Sequence, residues 1–164
     1  MIEDDREPSQ DVRWYVFTPS LAERLSSVCG WLLGWTGYAL ARAGLDGPAE
    51  RAADRAIDLQ RHSRGAVRAL GRLAARRGRL AGRRGQLIVE GRVGARGRFA
   101  GRGFFATYVV AAFNEQRALD LIRRFERDAI PSSLRIDSGD LDQPDSGAEG
   151  VLYVHPGRTF FREE

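Results

Sequence analysis

The chain has no lysine: all 26 of its basic residues are arginine. A GC-rich genome supplies arginine, glycine and alanine, and selection for forked phosphate recognition would enrich arginine too. Composition alone does not separate the two. There is one cysteine, Cys29, so no disulfide can form within the chain and nothing points to an oxidising compartment. With only His62 and His155 beside that cysteine, a zinc site of the usual ligand set is hard to assemble. No Ser/His/Asp or Cys/His arrangement stands out, and no glycine-rich turn joins a strand to a helix as nucleotide binding requires. The expectation is a chain without catalytic residues, cofactor or metal.

Carboxylates are absent from one long stretch, between Asp58 and Glu90. Residues 51–103 hold 15 arginines against three carboxylates, a net +12, while residues 1–50 and 104–164 each carry −4. Such segregation bears on partners and not on fold. The acidic ends can also fold back and neutralise the middle, which is the plain intramolecular alternative.

Within the basic block, Arg61, Arg64, Arg68, Arg72, Arg76, Arg79 and Arg83 recur at steps of three or four residues. On one continuous α-helix this spacing stacks them on a single face roughly 33 Å long, close to the ~34 Å of one DNA turn. Arginine binds phosphate through two parallel hydrogen bonds, so the row predicts a polyanion partner, DNA or RNA first. A glycine–arginine stretch adds Arg96, Arg98 and Arg102 around Phe99, an aromatic placed where it can stack on an unpaired base. No helix-turn-helix, zinc-finger or RNP1-type pattern sets a docking mode. An anionic lipid or an acidic protein surface is the other class of partner, with the chain as a homo-oligomer or a subunit of a larger complex.

Residues 25–41 form an uncharged run between Arg24 and Arg42 that includes Trp31, Trp35 and Tyr38. Seventeen residues is the lower limit for a membrane span. Its aromatics cluster mid-run, away from the edges where an interfacial belt lies. The start, Met1-Ile2-Glu3-Asp4-Asp5, is acidic and unlike a secretory signal. The expectation is a cytoplasmic protein, with membrane association through residues 25–41 as the alternative.

The pattern predicts an α+β fold in three parts. Residues 1–11 are a disordered N-terminus. Residues 12–84 hold a short strand (Val12–Phe17) and an antiparallel helical hairpin, and residues 85–164 a small α+β unit. Ser20 and Glu23 fit a capping box opening the first helix, which runs to Arg42 and stops at Gly44. Pro48 opens the second, expected to continue at least through Ala75, with residues 76–84 helical only against a partner. Gly30, Gly34, Gly37 and Ala41 form a nearly side-chain-free face to meet Ala56, Ala53 and Ala49, while Leu21, Leu25, Val28, Leu32 and Leu33 face the core.

After residue 85 the expected order is β-β-α-β-β, an antiparallel sheet with one packed helix: strands 86–93 and 104–113, a helix capped by Asn114 and running to Ala129, and strands 134–136 and 151–154. Residues 138–150 are expected as a mobile acidic loop. Asp137, Asp140, Asp142 and Asp145 miss the EF-hand spacing, so calcium is not expected there.

Overall fold

The computed structural model describes residues 21–95 and 99–161. The strand expected at Val12–Phe17, the Ser20 cap, Arg96 and Arg98 lie outside them. The fold is α+β: three N-terminal helices, a four-stranded antiparallel sheet and one further helix.

Helix α1 (Leu21–Arg42) ends as its sequence demands. Gly44 adopts φ +87°, its N–H reaches Ala41 O, and Leu45 N–H reaches Leu40 O, a Schellman motif that absorbs the last carbonyls. Helix α2 (Asp46–Leu59) follows after three residues, starting two residues before Pro48. The expected continuous second helix is not formed. Gln60 and Ser63 are both extended, the chain turns, and α3 (Arg64–Arg76) is a separate helix. The turn lays α3 against α1.

The contact between α1 and α3 is backbone against backbone. A Cβ built on Gly65 would lie 2.4 Å from the Gly34 carbonyl carbon and 2.5 Å from Trp35 N, so only glycine fits. The small face of α1 therefore serves two helices. Gly37 lies on Ala49 and Ala53 and Gly30 on Ala56 and Gln60, but Gly34 packs on Ser63, Gly65 and Ala66 instead of the expected Ala56. The buried Ser63 hydroxyl donates to Gly30 O. The face opposite is open. Leu21, Leu25, Val28, Trp31 and Leu32 are each 52–75% exposed, so only Leu33 of the five expected core residues packs inward.

Strands β1 (Leu80–Arg92), β2 (Gly103–Ala112), β3 (Arg135–Ala148) and β4 (Gly150–Phe161) are arranged β3-β1-β2-β4, so the doubly apolar β2 is an inner strand. Leu87, Val89, Phe104, Ala106, Tyr108 and Val110 point inward against Ala53, Ile57, Ala66, Val67 and Ala69 of the helices. α4 (Glu115–Arg123) covers the same face with Ala118 and Ile122, and Asn114 Oδ1 accepts the Arg117 N–H at 2.8 Å as its cap. It is shorter than expected, and residues 124–129 turn to bring Ala129 beside Val93.

Two expectations for the C-terminal part are corrected. Residues 80–84 belong to β1, and the expected acidic loop 138–150 is mostly β3, a long edge strand. Ladder hydrogen bonds to β1 override the weak strand propensity of Asp and Gly there. Aspartates, Pro144 and register shifts then keep its open side from pairing with another sheet. His155 lies within β4.

The glycine contact gives a paired test. Gly65→Ala should destabilise the fold by about 2–3 kcal/mol, the cost of overpacking against fixed backbone. Gly71→Ala, whose Cβ meets nothing within 4 Å inside α3, should stabilise it by about 0.5–1 kcal/mol. Urea unfolding midpoints of the two variants check both signs.

Candidate polyanion-binding surface

The seven arginines predicted to share one helix face are divided among four settings. Arg61 sits in the α2–α3 turn and points inward. Its guanidinium donates to Glu126 Oε1 at 2.5 Å, Tyr108 Oη at 2.9 Å and the His155 carbonyl at 2.9 Å. Glu126 is fully buried, and its carboxylate also accepts from Arg158 and the Tyr108 hydroxyl. Arg158 in turn holds Asp128 at 2.6 Å and lies 4.5 Å from the Phe104 ring centroid. Burial, then the Glu126 charge, push the Tyr108 hydroxyl well above its ordinary pKa. Burial first, and then Arg61 and Arg64, push the His62 imidazole down.

Arg76, at the end of α3, pairs with Asp46 and donates to the Ala41 carbonyl at 2.7 Å, closing the end of α1. Arg79 lies 3.6 Å from Glu149, which Arg117 grips with two bonds at 2.5 and 2.9 Å. Glu149 is the single residue between β3 and β4, and its N–H bonds to Arg79 O. Arg77 pairs likewise with Glu50, and outside the basic block Arg124 pairs with Glu50 and Asp54 and Arg127 with Asp54 and Asp58. Asp128 pairs with Arg158, and Asp120 with Arg123. Among the described residues, carboxylates of the acidic ends thus neutralise Arg61, Arg76, Arg77 and Arg79 of the basic block.

Arg64, Arg68 and Arg72 remain. They stand one turn apart on the outer face of α3, exposed, with no carboxylate within 4 Å among the described residues. The Arg68 guanidinium lies 5.3 Å from the Trp35 ring centroid. Trp35 meets Trp31 edge-on at 6.5 Å and Tyr38 at 5.8 Å. An aromatic cluster thus borders the arginine row, an adjacency of residues more than thirty positions apart that spacing along the chain does not signal.

The remaining candidates do not join this row. Arg83 is exposed on β1 in an open cleft that it shares with Asp140, Asp142 and Phe113. Phe99 is stacked on Phe160 at 4.1 Å and packs on the core, so its ring is occupied within the fold. Arg102 lies 6.0 Å from that ring. Among the described residues no group of three or more His, Cys, Asp or Glu side chains could hold a metal ion, and no helix is long and apolar enough to cross a membrane.

Two kinds of arginine imply two kinds of variant. Glu126→Gln leaves Arg61 buried without its counter-charge and Arg158 with Asp128 alone, and should cost about 3–5 kcal/mol. Arg68→Gln should change stability by less than about 0.5 kcal/mol. Urea unfolding at neutral pH measures both. The second prediction concerns acid. The hydrogen bonds from Arg117, ahead of its charge and that of Arg79, hold the Glu149 carboxyl below its ordinary pKa, against the opposing effect of burial. Its ion-paired form therefore contributes stability above the unfolded Glu value of about 4.3, lost as pH falls through the lower folded value. Tm should decline as pH falls from about 4.3 toward the lower folded value, and Glu149→Gln should flatten the decline while lowering Tm at neutral pH.

Compared with known proteins, the chain matches no protein family, no curated protein and no solved structure, so the geometry above is what its function has to be argued from.

Proposed function

We propose that this chain is a non-enzymatic binding protein that holds a polyanion, the phosphate backbone of DNA or RNA, through Arg64, Arg68 and Arg72 and without strong sequence preference. The carrying observation is that these three arginines stand in line on α3 with no acidic partner, while their neighbours in sequence are tied into the fold. The row is about 12 Å long at 1.5 Å per residue, enough to follow three or four phosphates of one strand at about 3.4 Å each.

The start of α3 adds to the argument. Its first turn holds no acidic residue, so Arg64 faces the positive end of the helix dipole with nothing to offset it. A phosphate there relieves both charges. Trp31, 55% exposed beside Trp35, offers a face on which an unpaired base can stack. The lone cysteine fits a reducing compartment, and we place the protein in the cytoplasm. A second reading has an observation of its own: the exposed apolar face of α1 suits a structural subunit docking on a larger assembly or on anionic lipid.

Counterion release sets the expected size of the effect. Three phosphate contacts give a slope of log K against log salt near −3 on duplex and near −2 on single strands, about half of what seven contacts would give. Fluorescent single- and double-stranded oligonucleotides titrated with wild type across a salt series should show those slopes. The triple variant R64Q/R68Q/R72Q should lose the dependence together with the affinity. Affinity that ignores salt, or survives the triple substitution, would refute the proposal.

A further inference from the structure

The outward face of α1 has a regular spacing. Leu21, Leu25, Val28, Leu32, Trp35 and Ala39 follow at alternating steps of four and three, the a/d pattern of a helix that pairs with another helix. They lie on the side opposite Gly30, Gly34, Gly37 and Ala41, which are buried on α2 and α3. Four of the six are more than half exposed. No charged residue occurs between Arg24 and Arg42, so the seam's neighbours on α1 itself are neutral, Cys29 and Thr36 on one side and Trp31 and Tyr38 on the other. The five exposed large side chains and their small neighbours offer on the order of 600 Å² per copy, somewhat below the ~800 Å² per partner of a standard interface.

We infer that this seam pairs with the same seam of a second copy of the chain, the two α1 helices running antiparallel across a two-fold axis near Gly30. The direction follows from side-chain size. With residue 30 at the centre, Leu21 meets Ala39 of the second copy, Leu25 meets Trp35 and Val28 meets Leu32. Large residues then face small or flexible ones at every level. A parallel pair would set Trp35 against Trp35 and Ala39 against Ala39, crowding one level and leaving the next empty. Antiparallel helices also oppose their dipoles, and the arrangement keeps the two Arg24 side chains at opposite ends.

The pairing has a consequence that rests on the proposed function. α3 flanks α1 on the Trp31/Trp35 side, where Gly65 meets Gly34 and Arg68 covers Trp35. A two-fold axis perpendicular to both α1 helices leaves that flank on the same side of the pair in each copy. The two rows of Arg64, Arg68 and Arg72 then share one face of the dimer. A parallel pair would turn them to opposite faces.

Cys29 makes the geometry measurable. It is exposed and is the only cysteine, and it borders the seam one residue from the axis. Equivalent border positions face each other across an antiparallel pair and lie on opposite sides of a parallel one. The full chain should therefore self-associate in sedimentation equilibrium from 18.2 kDa to twice that mass, and a short bis-maleimide should bridge Cys29 to Cys29 in the dimer. Leu25→Glu with Leu32→Glu, at exposed positions, should leave helix content unchanged, match wild-type Tm at dilutions where wild type is monomeric, abolish the dimer and lower bridging at least tenfold. It should also weaken binding of a long oligonucleotide, whereas R64Q/R68Q/R72Q should remain dimeric. A dimer that the reagent cannot bridge would overturn the antiparallel arrangement. A chain that stays monomeric at its highest attainable concentration would overturn the interface. If phosphatidylglycerol vesicles then bound wild type and not the Leu25/Leu32 variant, the face would belong to lipid.

Discussion

A single buried carboxylate constrains most of this molecule. The Glu126 side chain has no exposed surface, and an isolated charge in such a place is prohibitive. Arg61 and Arg158 answer it from two sides, with the Tyr108 hydroxyl as a third partner. A buried cluster of this kind adds little net stability over an apolar one of equal volume, but it heavily penalises any arrangement that leaves one member alone. Arg61 can reach Glu126 only if it leaves the helical row suggested by its spacing. The chain accordingly breaks between Leu59 and Arg64, and the break is what makes α3 an independent helix.

Once α3 is independent, the Gly34–Gly65 contact determines where it lies. Two glycines let the backbones of α1 and α3 approach to a distance that a methyl group would prevent. With α2 on one part of the small face and α3 on another, α1 is supported along the whole of one side and open along the other. Two surfaces without partners among the described residues, the leucine–tryptophan seam and the Arg64–Arg72 row, are therefore neighbours and meet at Trp35 and Arg68. The arginines that hold the fold and those that face solvent come from one stretch of sequence. Only the reach of the acidic ends separates them.

The pattern of the sequence exposed some of this and concealed the rest. The small face at Gly30, Gly34, Gly37 and Ala41 was legible because residues without side chains at helical spacing have few uses other than close packing. Asn114 as a cap, and the β-β-α-β-β order, followed from local chemistry and from the apolar runs. The break at residues 60–63 was not legible, since no glycine or proline marks it and its cause, Glu126, lies 65 residues away. β3 was hidden for a different reason. Its aspartates and glycines have poor strand propensity, and ladder bonds to β1 hold them extended regardless. For the candidate site, spacing alone identified Arg64, Arg68 and Arg72 but could not distinguish them from Arg61, Arg76 and Arg79. The seam on α1 misled because an amphipathic pattern is the same whether its cover is the chain's own core or another molecule.

The division of arginines into internal and outward sets is the claim on which the rest depends, and residue-by-residue reactivity measures it most directly. Limited modification of the native chain with an arginine-selective dicarbonyl, read by peptide mass spectrometry, should find Arg64, Arg68 and Arg72 among the fast sites. Arg61 and Arg158, whose guanidinium groups are buried and doubly engaged, should react only after unfolding. If Arg61 is modified as quickly as Arg68 in the folded protein, the buried cluster is not what breaks the helix, and the account of both surfaces fails with it.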